Sequence, residues 1–159
     1  MDAIQLLKAD HKKVKELLTE LTETSTRATK KRVDLLSEID ANLKAHNTIE
    51  QEIFYPAFKK ADEKEEAKMY YEALEEHRAA GDLVLPDLLN TKPESEQFSG
   101  RAKVLKELVE HHIKEEEGQM FKDAKKLLSS EEIEQLGKQM EQRKAELMKE
   151  LNKRPKVAA

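Results

Sequence analysis

The chain of 159 residues contains no cysteine. That excludes disulfides, thiolate catalysis, and zinc or iron–sulfur sites held by thiolates. Tryptophan is also absent, aromatic residues make up 4% of the chain, and glycine and proline number four each. So little aromatic and turn-forming material offers little for strands and hairpins. No apolar run approaches the ~20 residues that a membrane-spanning helix needs. The N-terminus has no signal-peptide apolar stretch, so a soluble, cytoplasmic protein without a membrane partner is expected. An excess of positive charge is missing too: Lys and Arg number 29 against 33 Asp and Glu, a formal net charge of −4. No broad attraction to nucleic acid follows from that balance. The short basic clusters Lys30-Lys31-Arg32 and Lys153-Arg154-Pro155-Lys156 read as solvated helix ends.

What is present favours helices. Charged residues are 39% of the chain, and the apolar ones recur in steps of three and four. The first helix, residues 2–22, has the stripe Ile4, Leu7, His11, Val14, Leu18, Leu21. Thr24-Ser25-Thr26 marks a break and an N-cap. The second has the seam Leu36, Ile39, Leu43, His46, Glu50, Ile53, and Pro56 is expected to end or kink it, pushing Tyr55 out of helical geometry. The third starts within residues 62–65 and carries Tyr70, Leu74, His77, Gly81, Val84 and Leu88, with Pro86 bending its last turns. Residues 90–100 form a loop. The fourth seam is Ala102, Leu105, Leu108 or Val109, His112, Glu116, Met120. Ser129-Ser130-Glu131-Glu132 is a capping box that opens a fifth helix bearing Ile133, Leu136, Met140, Leu147 and Leu151. These seams predict an all-α fold: an antiparallel up-down-up-down four-helix bundle over residues 1–128, then an amphipathic helix and frayed tail over 129–159. That last helix either covers the bundle or serves as an output or weak-dimer element, so the chain is expected to be a monomer or a weak dimer.

The seams also repeat. His11 to His77 is 77 − 11 = 66 residues, His46 to His112 is 112 − 46 = 66, and Glu50 to Glu116 is 116 − 50 = 66. Each half therefore has a lone His followed by a His-x-x-x-Glu. Residues four apart lie about 40° apart around a helix and about 6 Å along it, so each His-Glu pair can reach one inward site. Polar groups at core positions cost several kcal/mol unless satisfied, and matched imidazoles and carboxylates on four helices are most economically explained by shared metal. Imidazole suits iron, copper or zinc, and a carboxylate can bridge two ions. His111 and Glu115 form a competing pair, but under the 66-residue shift they fall on Ala45 and Ile49, which cannot ligate.

These residues resemble the hemerythrin family, in its HHE cation-binding branch. The matching stretches are Asp10-His11, the run from His46 to Pro56, Glu76-His77, and the run from His112 to Phe121, across residues 1–126. The resemblance implies a non-haem di-iron centre, oxo- or hydroxo-bridged, with His11, His46, Glu50, His77, His112 and Glu116 as ligands; zinc or manganese would fit the same donors. The oxygen-carrying members have a further histidine one turn before the third-helix ligand. Here that position is Ala73 (77 − 4 = 73), which argues against plain oxygen storage. Tyr70 lies on the same face as His77, and reads as a ligand, a hydrogen-bond donor to bound oxygen, or a core aromatic. Gly81 either leaves room for a small molecule or allows close helix packing. Three functions follow: a di-iron centre that reacts with dioxygen, peroxide or nitric oxide, including peroxide breakdown; a sensor of oxygen, nitric oxide or iron without catalysis; or a metal-free helical interaction module.

Overall fold

The computed structural model describes residues 1–61 and 66–155. Its elements are helices: α1 (Ala3–Thr22), α2 (Thr29–Ile49), α3 (Tyr55–Ala61), α4 (Glu66–His77), α5 (Leu85–Leu89), α6 (Glu96–Glu115), α7 (Phe121–Leu127) and α8 (Ser130–Asn152). Three wide π-turns, Glu50–Phe54, Arg78–Val84 and Glu116–Met120, carry α2 into α3, α4 into α5 and α6 into α7. The chain thus forms four bundle rods and a fifth C-terminal helix. The expected start of the third helix at residues 62–65 lies outside the described residues.

Pro56 does not end the second rod. Tyr55, just before it, is helical at φ −63° and ψ −41°, and so is Leu85 before Pro86, at φ −60° and ψ −48°. The π-turns explain both. Tyr55 N–H bonds Glu50 C=O and Leu85 N–H bonds Ala80 C=O, five residues back. Each proline is then the second residue of a fresh α-segment, where its missing N–H costs little. The loop expected over residues 90–100 is shorter than that, because Ser95 caps α6 by accepting from the Phe98 N–H at 3.1 Å. The Thr24–Thr26 break is present, but the residue before α2 is Ala28, whose side chain forms no capping bond.

Arg32 corrects the reading of its basic cluster as solvated. It is 1% exposed. Its guanidinium donates to Thr24 Oγ1 (2.9 Å), Thr24 C=O (3.0 Å), Pro93 C=O (2.7 Å) and Ser99 Oγ (2.8 Å), and it lies 4.9 Å from the Phe98 ring centre. One side chain thus ties the α1–α2 turn to the start of α6.

Two apolar clusters fill the interior. One contains Leu18, Leu36, Leu43, Leu85 and Leu105; the other contains Leu7, Phe54, Phe58, Phe121 and Met140. Each fully buried side chain of this size contributes about 1.5–3 kcal/mol. α8 belongs to the second cluster through Ile133 and Met140. Its capping box is formed: Ser129 Oγ accepts from Glu132 N–H at 3.2 Å, and the Glu132 carboxylate accepts from Ser129 N–H at 2.7 Å. Gly137 is where α8 crosses the chain start, since a Cβ there would come within 2.7 Å of Ala3 N and Asp2 C. No helix among the described residues is long and apolar enough to cross a membrane.

Candidate metal centre

Between the two apolar clusters lies a polar layer. His11 comes from α1, His46 from α2, His77 from the end of α4 and His112 from α6, while Glu50 and Glu116 each open a π-turn. All six are between 0% and 6% exposed, so water cannot satisfy them. They form two groups that share a carboxylate: His11, His46, Glu50 and Glu116, and Glu50, His77 and His112, with one donor atom of each within 4.8 Å of the rest of its group. Glu50 faces one pair with each oxygen. Its Oε1 is 2.9 Å from His46 Nε2 and 3.9 Å from His11 Nε2; its Oε2 is 2.9 Å from His77 Nε2 and 3.9 Å from His112 Nε2. Glu116 Oε2 lies 2.8 Å from His112 Nε2 and 3.5 Å from His11 Nε2.

Several of these approaches are close without being hydrogen bonds. His11 Nε2, His46 Nε2, Glu50 Oε1 and Glu116 Oε2 are buried with no hydrogen-bond partner. Unpaired buried polar atoms cost about 1–3 kcal/mol each. Four that converge have the arrangement of ligands around cations, and nitrogen with carboxylate oxygen is a donor set for a first-row divalent ion.

The outer nitrogen of every histidine is held. His11 Nδ1 pairs with Glu117 (2.8 Å), His46 Nδ1 with Asp10 (3.2 Å), His77 Nδ1 with Gln51 (3.0 Å) and His112 Nδ1 with Glu76 (3.0 Å). The carboxylate partners of His11, His46 and His112 fix those rings with Nε2 inward and raise their basicity, as outer partners of metal-bound histidines do, while the Gln51 amide nitrogen abuts His77 Nδ1. They obey the same repeat, since 10 + 66 = 76 and 51 + 66 = 117.

Proton affinities reflect the crowding of charge. Burial pulls the His46 imidazole down, but Glu50 and Asp10 outweigh it and lift its pKa to about 10. His112 is likewise raised well above 6.5, burial being overcome chiefly by Glu116. Burial raises Glu50, yet the charge of His46 and bonds from its neighbours carry it well below 4.5. Burial, then the charges of Glu116 and Glu50, push the Tyr55 phenol well above 10. The cluster therefore carries protons where a cation would serve equally well.

Comparisons with known proteins agree with this geometry. The model of the hemerythrin HHE cation binding domain matches residues 2–124. The chain belongs to the hemerythrin HHE cation-binding family. A crystal structure of an HHE cation-binding domain-containing protein from Mycobacterium kansasii is 27% identical, with a TM-score of 0.82 over 94% of this chain and 89% of the other. A curated relative from Nostoc sp., described as a DNA nickase, is 27% identical over 152 residues, 95% of this chain but 41% of that protein. The chain thus spans about two fifths of that relative's length.

Within this HHE domain, the tyrosine hydroxyl in the cluster belongs to Tyr55 rather than Tyr70. Tyr55 OH is 2.9 Å from Glu50 Oε2, 3.1 Å from His77 Nε2, 3.2 Å from Glu116 Oε1 and 3.3 Å from His112 Nε2. Tyr70 packs edge-on behind it, ring centres 6.3 Å apart. α-Helical periodicity hides Tyr55, because Phe54 holds the i+4 position after Glu50; the π-turn rotates residue i+5 inward as well. The repeat mate of Tyr55 is Phe121 (55 + 66 = 121), which stacks on His11 at 5.8 Å. The two halves therefore differ: a phenol faces one histidine pair and a phenyl ring faces the other. Ala73 is 3% exposed and lines a cavity of ≈ 20 Å³ beside His112 and Glu116, so Tyr55, from another rod, supplies polarity to the half that lacks a third imidazole. His111 stays outside, with its side chain 61% exposed and 3.2 Å from Glu76. Gly81 accommodates packing, since a Cβ there would stand 3.0 Å from Asn47 Nδ2.

Proposed function

We propose that this HHE domain holds two iron ions and reacts with a small oxidant, hydrogen peroxide foremost, breaking it down. His11 and His46 would hold one ion, His77, His112 and the Tyr55 phenol the other, with Glu50 and Glu116 shared between them. Zinc or manganese would fit the same donors; iron is preferred because it supplies redox chemistry. Two such ions would supply two-electron redox chemistry towards peroxide, or a binding site for dioxygen or nitric oxide.

The observation that carries this reading is a second cavity, of ≈ 20 Å³, lined by all four histidines together with Val14, Leu43 and Val109. It has room for one water-sized molecule and no organic substrate. Its walls are mostly apolar, and Asp10, Asn47 and Glu76 supply polar side chains to its lining. The Tyr55 hydroxyl, 2.9 Å from Glu50 and 3.1 Å from His77, adds a polar oxygen to the His77 and His112 side. The test is oxygen release and peroxide loss by iron-loaded protein, compared with equal free iron. Turnover above the free-iron level is expected; none would end the peroxide reading.

A second reading, a sensor of oxygen, nitric oxide or iron, is favoured by one contact. Lys144 on α8 donates to Asp10, and Asp10 holds His46, so the fifth helix is joined to the cluster through two side chains. Slower amide exchange in α8 on metal or gas binding would support it; unchanged exchange would count against it.

A further inference from the structure

The chain has three tyrosines and no tryptophan or cysteine. All three tyrosines are in contact in series. Tyr55 is 0% exposed, with its hydroxyl among the ligands. Its ring stands edge-on to that of Tyr70, centres 6.3 Å apart at 79°. Tyr70 in turn stands edge-on to Tyr71, centres 5.1 Å apart at 79°. Tyr71 is 56% exposed. Both separations fall in the range of aromatic rings in contact. The phenylalanines near the centre, Phe54, Phe58 and Phe121, are not oxidised under these conditions. Every oxidisable ring in the chain therefore belongs to a single stack running from the buried cluster to solvent.

We propose that Tyr55, Tyr70 and Tyr71 form an electron path between the metal centre and the surface, through which a one-electron donor of the ascorbate or phenol class at Tyr71 supplies the reduction of peroxide. The proposal rests on the peroxide reading above and adds a peroxidase-type activity to it. One peroxide takes two electrons and two protons to give two waters, and two donors each supply one electron and one proton. Tyr55 passes an electron inward, an electron from Tyr71 crosses the Tyr70 ring and restores it, and the two protons that peroxide takes up come from water. Tyr71 releases its own proton to water and regains electron and proton from the donor. Lys59 Nζ sits 4.7 Å and 5.1 Å from the ring centres of Tyr70 and Tyr71 and donates to Tyr71 OH at 3.3 Å. That cation opposes positive charge on the rings, so oxidation of Tyr71 has to proceed with proton loss to a neutral radical. It also holds the outer two rings together.

Without a donor, Tyr71 radicals on two molecules can meet. They couple through a carbon–carbon bond, and the displaced ring hydrogens return to the phenol oxygens. The experiment adds hydrogen peroxide to iron-loaded protein and measures dityrosine fluorescence and covalent dimer, together with peroxide loss and iron content. Wild type is expected to cross-link. Tyr71→Phe should lower cross-linking at least about tenfold while peroxide is still consumed. Tyr70→Leu and Tyr70→Phe, which keep Tyr71 but remove the oxidisable bridging ring, should lower it similarly. If Tyr70→Leu, with normal iron content, cross-links like wild type, the path is overturned and the peroxide reading survives. If wild type consumes no peroxide, the peroxide reading fails and the path fails with it.

Discussion

Glu50 and His112 decide how many cations the centre holds. Glu50 turns one oxygen to His11 and His46 and the other to His77 and His112, a posture that suits two ions better than one. His112→Ala removes a nitrogen from one pair only, so metal content should fall from two equivalents towards one. His111→Ala, which alters an exposed side chain, should leave two. Elemental analysis after dialysis distinguishes them, and equal loss in both variants would mean that the ligand is misassigned. Protonation gives a second residue-scale prediction. In metal-free protein the folded pKa of His46 is about 10 against 6.5 for the free side chain. A raised pKa stabilises the fold fully below the unfolded value, and that contribution is lost as pH rises through the folded value. Urea midpoints of metal-free protein should therefore fall between pH about 6.5 and about 10. Metal replaces those protons, so loading should release protons and flatten the alkaline decline. A metal-free midpoint constant over that range would contradict the assignment.

At the scale of elements, the π-turns divide what the sequence reveals from what it hides. The heptad seams and the 66-residue repeat reveal the rods and the six inward side chains, because periodicity and spacing are properties of the chain itself. The outer partners went unread, although Asp10 with Glu76 and Gln51 with Glu117 obey the same shift, so the repeat was the signal that could have found them. Tyr55 was not, because its inward turn depends on i+5 bonding at Glu50, and Pro56 signals the opposite. Arg32 was hidden for a different reason, since its acceptors at Pro93 and Ser99 are supplied by a segment more than 60 residues away. Gly137 offers an element-scale test. In an open helix position, Gly→Ala gains about 0.5–1 kcal/mol. At Gly100, where a Cβ would meet nothing within 4 Å, that gain is expected. At Gly137 the Cβ would overlap the backbone of Met1 to Ala3, so Gly137→Ala should instead cost about 1–3 kcal/mol by forcing α8 away. Denaturant midpoints of the two variants check the contrast, and a gain at Gly137 would show that α8 is not seated as described.

For the whole molecule, the polar layer divides a core that would otherwise be continuous. Two apolar clusters hold the four rods together on either side of it, and α8 closes one of them through Ile133 and Met140. A protein stabilised by packing alone would gain from an apolar layer there; this one keeps six buried His and Glu side chains converging in it. Metal and fold should therefore be coupled, since an ion bound only by the folded state stabilises it by mass action. Purified protein loaded anaerobically with ferrous iron tests this most directly, with bound iron and melting temperature measured on the same sample for wild type and for His46→Ala. Two equivalents of iron and a clear rise in melting temperature are expected in wild type, and both should diminish in the variant. Iron that washes away from wild type without any shift in melting temperature, while His46→Ala melts as high or higher, would contradict the metal centre itself.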